Sequence, residues 1–225
     1  MAEFSDCALL IRRIPYGETS LICHFFTEKY GRITLMVRGA RRPKSDFRAC
    51  LEPLHTLQIS WRCGRTGMGT LVDIQRGQSL LQPSFLLDGL ELLAIASRLF
   101  QEGDPHGFGE TTVALTLLAE QGQQQGLMAA VWYLLDVAGW LGDLSHCWQC
   151  GREAEQTMFW QHARLVCDDC GQGMPVSVGL RKSITAVLSG GHILLGAADA
   201  GRWRDMISGV LNEHGIKVTD SFKGM

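Results

Sequence analysis

The 225-residue chain has almost no net charge, −2 with histidine neutral, although this small total conceals two halves of opposite sign. It has no long apolar run. The longest, Leu127 to Leu135, is closed by Asp136 and falls far short of the roughly 20 residues of a membrane-spanning helix. The opening residues, Met1-Ala2-Glu3-Phe4-Ser5-Asp6, lack the basic start and apolar stretch of a secretory signal. There is no Walker-type phosphate loop, no Gly-x-Gly-x-x-Gly, no His-Glu-x-x-His and no nucleophile elbow, and the seven histidines fall into no motif spacing. Internal repeats and low-complexity tails are also missing. These absences point away from an enzyme, from a small-molecule substrate and from a membrane. A hydrophobic fraction of 46% and a charged fraction of 20% leave an ordinary globular chain, long enough for one large domain or two smaller ones.

Eight cysteines are present, and four are grouped. Cys147-Trp148-Gln149-Cys150-Gly151 is followed by Cys167-Asp168-Asp169-Cys170-Gly171. Two Cys-x-x-Cys pairs at this separation carry the spacing of a zinc site: each pair fits one tight turn, and two turns complete a tetrahedron. The glycine after each pair suits the turn because it can take positive φ. Four thiolates leave no open position for water, so the expected Zn2+ is structural, one per chain. With no export signal the thiols are expected to be reduced and the protein cytoplasmic. A redox pair would need only one Cys-x-x-Cys, beside a βαβ pattern not seen here. His146 and His162 are near enough to substitute as ligands, but the cysteines already make a full set. Cys7, Cys23, Cys50 and Cys63 fit no metal spacing and read as small buried hydrophobes.

The charge is unevenly spread. Residues 1–77 hold 12 Lys/Arg against 7 Asp/Glu, and residues 78–225 hold 9 against 16. Opposite signs suggest a nucleic-acid-facing end and a separate body. The basic end is strand-like. Cys7 to Ile14 is an apolar run broken at Pro15-Tyr16-Gly17, Leu21 to Phe26 is a second, and Glu28 to Gly31 reads as a hairpin turn. Ile33, Leu35 and Val37 alternate with Arg32, Thr34, Met36 and Arg38; Leu57, Ile59 and Trp61 alternate with Gln58, Ser60 and Arg62. A turn over residues 64–67 leads to a fifth strand, Gly69 to Ile74. Five short strands without a helical period predict a small barrel, an OB-fold or, on periodicity alone, an SH3-like barrel.

Between the third and fourth strands, Arg38 to Arg48 carries five basic residues, Arg38, Arg41, Arg42, Lys44 and Arg48, against one acid. Gly39 and Pro43 predict a projecting loop, and guanidinium groups on such a loop can follow a phosphate backbone. Tyr16, Phe47 and Trp61 are candidate stacking platforms for unpaired bases, although the parity of Trp61 places it in the core.

From residue 78 the period becomes helical. Helices are predicted over Ser79 to Phe100, Glu110 to Gln121 and Leu127 to Leu141, with 122–126 as a polar linker between the last two. After a β-hairpin of Thr157–Trp160 and Arg164–Val166 between the cysteine pairs, Pro175 and Ser177 open a helix through Leu188, and a last helix runs from Asp199 to His214. The fold class is therefore α+β: a five-stranded barrel over 1–77, then a helical domain over 78–225 that carries a four-cysteine zinc module at about 145–172.

The order of these features resembles the bacterial recombination mediator RecO family. The stretches that carry the resemblance are Gly17-Glu18-Thr19-Ser20, Phe26 to Arg32, Arg38 to Ser45, Leu51-Glu52-Pro53, Leu134-Leu135 with Gly139, and the two Cys-x-x-Cys-Gly pairs. The resemblance implies an N-terminal OB-fold and a non-enzymatic, nucleoid-associated DNA-repair protein. Such proteins bind single- and double-stranded DNA, anneal complementary strands, act with RecR and in some systems RecF, and help RecA replace SSB. The positions matching the family's DNA contacts in type and place are Arg32, Arg38, Arg41, Arg42, Lys44 and Arg48, with Arg62 added from its strand parity. Many relatives carry Arg and Glu near the start of the helix before the zinc module, close to where the acidic tail of SSB is received. Here that stretch is Met128-Ala129-Ala130-Val131-Trp132-Tyr133, without charge. A basic rim for an acidic tail then has to come from Arg181, Lys182, Arg202 or Arg204. The competing reading is a zinc-containing scaffold that recruits repair proteins, with DNA binding incidental.

Overall fold

Alternation in the first part of the chain becomes five strands: β1 (Glu3–Tyr16), β2 (Ser20–Thr27), β3 (Gly31–Val37), β4 (His55–Cys63) and β5 (Gly69–Ser79). The structure is a computed structural model that describes residues 2–63 and 68–217, the side chains of 123 and 124 excepted; the turn expected over 64–67 lies outside them. The strands close into a barrel in the order β1-β2-β3-β5-β4, with β4 returning to β1. β3 and β5 meet in parallel at Leu35↔Gly69 and Met36↔Thr70. A short helix, α1 (Asp46–Cys50), lies between β3 and β4. Strand order, the parallel contact and the helix position settle the barrel as an OB-fold rather than an SH3-like one.

The period-two faces land as their parity requires. Leu57, Ile59 and Trp61 are buried while Gln58 and Arg62 face out. Ala8, Leu10, Cys23, Phe25, Leu35, Val37 and Leu71 complete the interior. Trp61 is 4% exposed, stacked on Phe4 at 5.7 Å between ring centroids. β1 holds a feature that alternation does not disclose. Its register against β2 shifts between Leu10 and Arg12. The extra residue of this bulge resets the parity: Arg13 and Pro15 then pair with Cys23 and Leu21, on the side of the core. Two strands are longer than expected. β1 runs through Pro15 rather than stopping at Ile14, which proline permits because β4 pairs with β1 only as far as Ala8 and leaves one side free. β5 runs to Ser79 rather than Ile74.

The chain divides into two compact units, Met1–Leu115 and Thr116–Met225. The division falls inside helix α3 (Phe108–Gln121), so the change of period at 78 and the change of unit are different places. In the first unit the helix expected from Ser79 starts later: a 3-10 turn at Pro83–Phe85 leads into α2 (Leu86–Leu99). The end of α2 and the segment after it cover part of the barrel. Phe100 meets Phe26 edge to face at 6.1 Å. Gly107 sits on Phe26 with φ +129°, and a Cβ there would lie 2.6 Å from a ring carbon. Gly107→Ala combines a disfavoured backbone with an overlap against a buried ring, and is expected to cost about 2–3 kcal/mol. A urea-midpoint comparison with Gly109→Ala, where a Cβ meets nothing within 4 Å, measures it.

In the second unit, α4 (Gln123–Val137) is buried from Leu127 through Trp132 and again at Leu134 and Leu135. It packs against α5 (Val178–Leu188) and α6 (Ala197–Glu213). The glutamines expected as linker begin the helix, since glutamine is a competent helix former and the break is confined to Gly122. Three short strands, β6 (Met158–Gln161), β7 (Arg164–Val166) and β8 (Met174–Val176), form a sheet in the order β7-β6-β8. Pro175, expected to open a helix, lies in edge strand β8. Ser177 does cap α5, its Oγ accepting from the Leu180 N–H at 3.0 Å. Trp132 of α4, Trp160 of β6 and Trp203 of α6 meet at 5.7 and 6.2 Å, which ties the sheet to the helices. Among the described residues, no helix is long and apolar enough to cross a membrane.

Candidate metal centre and nucleic-acid interface

The four cysteines of the paired motif converge. The sulfurs of Cys147, Cys150, Cys167 and Cys170 all lie within 4.8 Å of one another, and Cys150 and Cys167 are 3.7 Å apart. Sulfurs 2.3 Å from a central ion at tetrahedral corners are about 3.8 Å apart, so the cluster has the dimensions of a four-thiolate metal site. Each pair closes a tight turn: the Gly151 N–H donates to Cys147 O, and the Cys170 and Gly171 N–H groups donate to Cys167 O. The two glycines do different work. Gly151 takes the positive φ, +73°. Gly171 does not; a Cβ there would lie 2.7 Å from Gln161 Oε1 and 2.9 Å from Val166 Cγ2, so it serves close approach to the β6–β7 hairpin.

The electrostatics suit a bound cation. Burial tends to raise the Cys147 thiol, but backbone N–H groups of Cys150, Cys167 and Gln149 overcome it and bring the group down to about 6. Cys170 is pushed up to about 12 by its hydrogen bonds with the Cys167 and Cys150 sulfurs. Four sulfurs this close cannot all shed protons without a countercharge, which a divalent ion would supply. His146 and His162 are not part of the cluster. His146 Nδ1 lies 2.7 Å from Asp143 Oδ2, and His162 Nδ1 lies 3.5 Å from Glu213 Oε1.

Arg181 braces the segment around the module. The residue is 5% exposed, and its guanidinium donates to three carbonyls, Leu144 O at 3.2 Å and Ala154 O and Gln156 O at 2.7 Å each. It is therefore withdrawn from the surface, and Arg202 is paired with Asp199 at 3.2 Å. Of the four basic residues considered for an acidic tail, Lys182 alone is exposed without a described ion pair.

On the barrel, the expected basic positions separate into two groups. Arg38, Arg41, Arg42, Lys44 and Arg48 are exposed, and among the described residues no carboxylate pairs with any of them. The stretch is not all loop, because Arg48 stands on α1. Nor is it all projecting: Ala40 is buried, and Phe47 packs against the barrel interior. Arg41 is partly anchored, its N–H donating to Thr19 O at 2.8 Å and Nη1 to Gly17 O at 3.1 Å. Arg32 and Arg62 are engaged elsewhere. Arg32 Nη1 donates to Ser97 O at 2.7 Å and Phe100 O at 3.1 Å, satisfying carbonyls at the end of α2. Arg62 holds Glu3 through two hydrogen bonds, at 3.0 and 2.8 Å.

The open part of the β1–β2–β3 outer face has its own character. Arg12, His24 and Thr34 form one cross-strand row, and Ile14, Ile22 and Met36 the next. The imidazole of His24 is 2.9 Å from Thr34 Oγ1. Burial, then the charges of Arg32 and Arg12, hold its pKa below the usual histidine value. Tyr16, 52% exposed, flanks these rows. Of the three candidate stacking residues it is the one left open. Arg12 and Arg13 are further cations at this end of the barrel that the sequence reading did not single out. The paired basic residues after an apolar run were the available signal.

Two family models match the chain, "Recombination protein O N terminal" over residues 1–79 and "Recombination protein O C terminal" over residues 89–190. Among curated proteins the chain is similar to the DNA repair protein RecO of Actinobacillus succinogenes, 29% identical over 161 residues, 68% of this chain and 66% of that one. The DNA repair protein RecO of Glaesserella parasuis serovar 5 is 29% identical over 170 residues, 72% of this chain and 70% of the other. That of Laribacter hongkongensis is 38% identical over 101 residues, 44% and 41%. The matches thus span between 41% and 70% of these relatives' own lengths.

Proposed function

We propose, on the premise that this chain belongs to the recombination protein O family, that it is a DNA-binding mediator of recombinational repair and not an enzyme. In this reading residues 1–77 are the nucleic-acid-binding domain, and residues 78–225 are a helical domain stabilised by structural zinc at Cys147, Cys150, Cys167 and Cys170. It binds single- and double-stranded DNA in the cytoplasm, at the nucleoid, and anneals complementary strands. With RecR, and with RecF where that protein takes part, it helps load RecA onto strands covered by SSB, whose acidic tail is a further partner.

The observation that carries the DNA-binding part is the run of exposed cations Arg38, Arg41, Arg42, Lys44 and Arg48 beside an OB-fold, none of them neutralised by a described carboxylate. Phosphates meet these groups, while bases lie towards Tyr16 and the outer face of β1–β3. Because the arginines lack acidic partners, they give up no ion pair on binding. Arg32 and Arg62 contribute less, since both already have partners.

Replacing Arg41, Arg42 and Lys44 by Ala is expected to weaken DNA binding by more than about tenfold at low salt. It should also lower the slope of log affinity against log salt by about two to three. Fluorescence-anisotropy titrations at several salt concentrations measure both. An unchanged slope would remove the loop from the interface. Salt-insensitive DNA binding alongside intact capture of RecR and SSB would favour the scaffold reading instead.

A further inference from the structure

The bulge in β1 creates a second cationic feature, on the core side of the strand rather than on its outer face. Past the bulge, Arg13 pairs with Cys23 and Pro15 with Leu21. Since β4 leaves β1 after Ala8, this end of β1 borders a gap between strands instead of a closed wall. Here β1, β2, the segment after β3 and the end of α1 enclose a cavity of about 400 Å³. Its apolar lining is Pro15, Leu21, Ala40 and Leu51, the last two of them buried. Its mouth carries three guanidinium groups, Arg13, Arg41 and Arg48.

These arginines come from β1, from the segment after β3, and from α1, so the fold gathers them from three separate stretches. Two are held in place by backbone. Arg13 Nη1 donates to Leu51 O at 2.7 Å, and Arg41 Nη1 donates to Gly17 O at 3.1 Å. Each has further N–H donors in its fork. Among the described residues no carboxylate lies within ion-pair distance of any of the three, and the nearby Glu52 is paired with Arg76 at 2.8 Å. Three cations around an apolar hollow, two of them anchored, suit a ligand with anionic and apolar parts in one small unit.

We propose that the Arg13–Arg41–Arg48 cavity is a pocket for a single unpaired nucleotide of a DNA strand, the phosphate at the three guanidiniums and the sugar and base against Pro15, Leu21 and Leu51. The inference rests on the DNA-binding reading above and adds to it a basis for preferring single strands. The volume is near the lower end for small-ligand sites, which suits one nucleotide. A duplex can bring a phosphate to the mouth but keeps its bases stacked inside the helix, so the apolar lining stays uncovered. A flexible single strand can turn a nucleotide into the hollow at little cost.

The test compares three variants of the full chain, each titrated with a single-stranded oligodeoxythymidine and with a duplex of the same length. R13Q/R48Q is expected to weaken single-strand binding by more than about tenfold and duplex binding by only about two- to threefold, the part that a phosphate at the mouth supplies to both. R48Q alone, at an exposed position with no described side-chain partner, should show the same bias at smaller size and guards against a folding defect from losing the Arg13–Leu51 bond. R38A/R42A/K44A, outside the pocket, should weaken both substrates alike. A strand carrying one 2-aminopurine should brighten on binding wild type, as the base leaves its stacked neighbours for an apolar lining, and not on binding R13Q/R48Q. Equal losses on both substrates, or no loss from either pocket variant, would overturn the pocket while leaving the DNA-binding reading intact. A loop variant that binds both substrates like wild type would instead overturn that reading.

Discussion

If the four cysteines hold structural zinc as proposed, Cys167→Ser should release it and melt the second unit. Cys167 is 2% exposed, its sulfur is 3.7 Å from that of Cys150, and its N–H donates to the Cys147 sulfur at 3.3 Å. Serine removes one thiolate from a closed set and breaks this geometry. Structural zinc contributes on the order of 10 kcal/mol in small zinc-dependent folds, against about 5–15 kcal/mol of net stability for a whole domain. Losing even half of that leaves little margin. The cysteine turns also position β6, whose Trp160 sits against Trp132 and Trp203. Near-ultraviolet circular dichroism of this tryptophan cluster should therefore collapse in the variant, and on treating wild type with a strong chelator. Colorimetric metal release should give one equivalent per chain. Cys63→Ser should change neither signal: expected to be buried, Cys63 is instead exposed, because it ends β4, and it lies outside the cluster. A chelated protein that keeps its tryptophan spectrum and its melting temperature would end the assignment of a structural metal.

The second large effect is expected at Arg181. Substitution by Met keeps the length of the side chain and removes the donors of three carbonyls. The buried charge disappears too, which is favourable, since burial already holds the Arg181 pKa below its usual value. The carbonyls decide the balance. A neighbouring cavity of about 320 Å³, lined by Leu144, Ser145, Ala154 and Lys182 among others, lets water reach part of the site, so each lost bond should cost about 1 kcal/mol rather than a full desolvation penalty. The net loss should be about 2–3 kcal/mol, read as a shift in the urea midpoint. Arg181→Lys should recover little of it, because one ammonium on a flexible stem cannot span three acceptors as a planar fork does. A Met variant as stable as wild type would show that the bracing contributes nothing.

What could be read from the sequence was what depends on local spacing. The cysteine quartet is visible because two short turns carry all four ligands. Trp61 is visible as core because one alternating strand fixes its side. The features that were hidden depend on distant partners or on a broken period. Arg32 lies on an outward, basic strand face, and the carbonyls that occupy it are 65 and 68 positions away. Arg13 was obscured by the bulge after Leu10, which exchanges inside for outside midway along β1. Pro175 looked like a helix opener because an edge strand of three residues leaves no periodicity to detect. For Arg181 a signal was available: it stands three residues before buried Ile184 and beside buried Leu180, on the face that α5 turns inward.

The closure of β4 onto β1 has a consequence for how the protein is made. During synthesis β1, β2 and β3 emerge first and can pair as a meander. The free edge of β1 waits for β4, and the free edge of β3 waits for β5, which ends at Ser79. At about 5–20 residues per second, the ribosome needs several seconds to supply the strands after Val37. For that interval a nascent sheet with two open edges leaves the exit tunnel with the arginine-rich segment just behind it. The positive charge on that segment helps keep neighbouring nascent chains apart while the edges are unpaired.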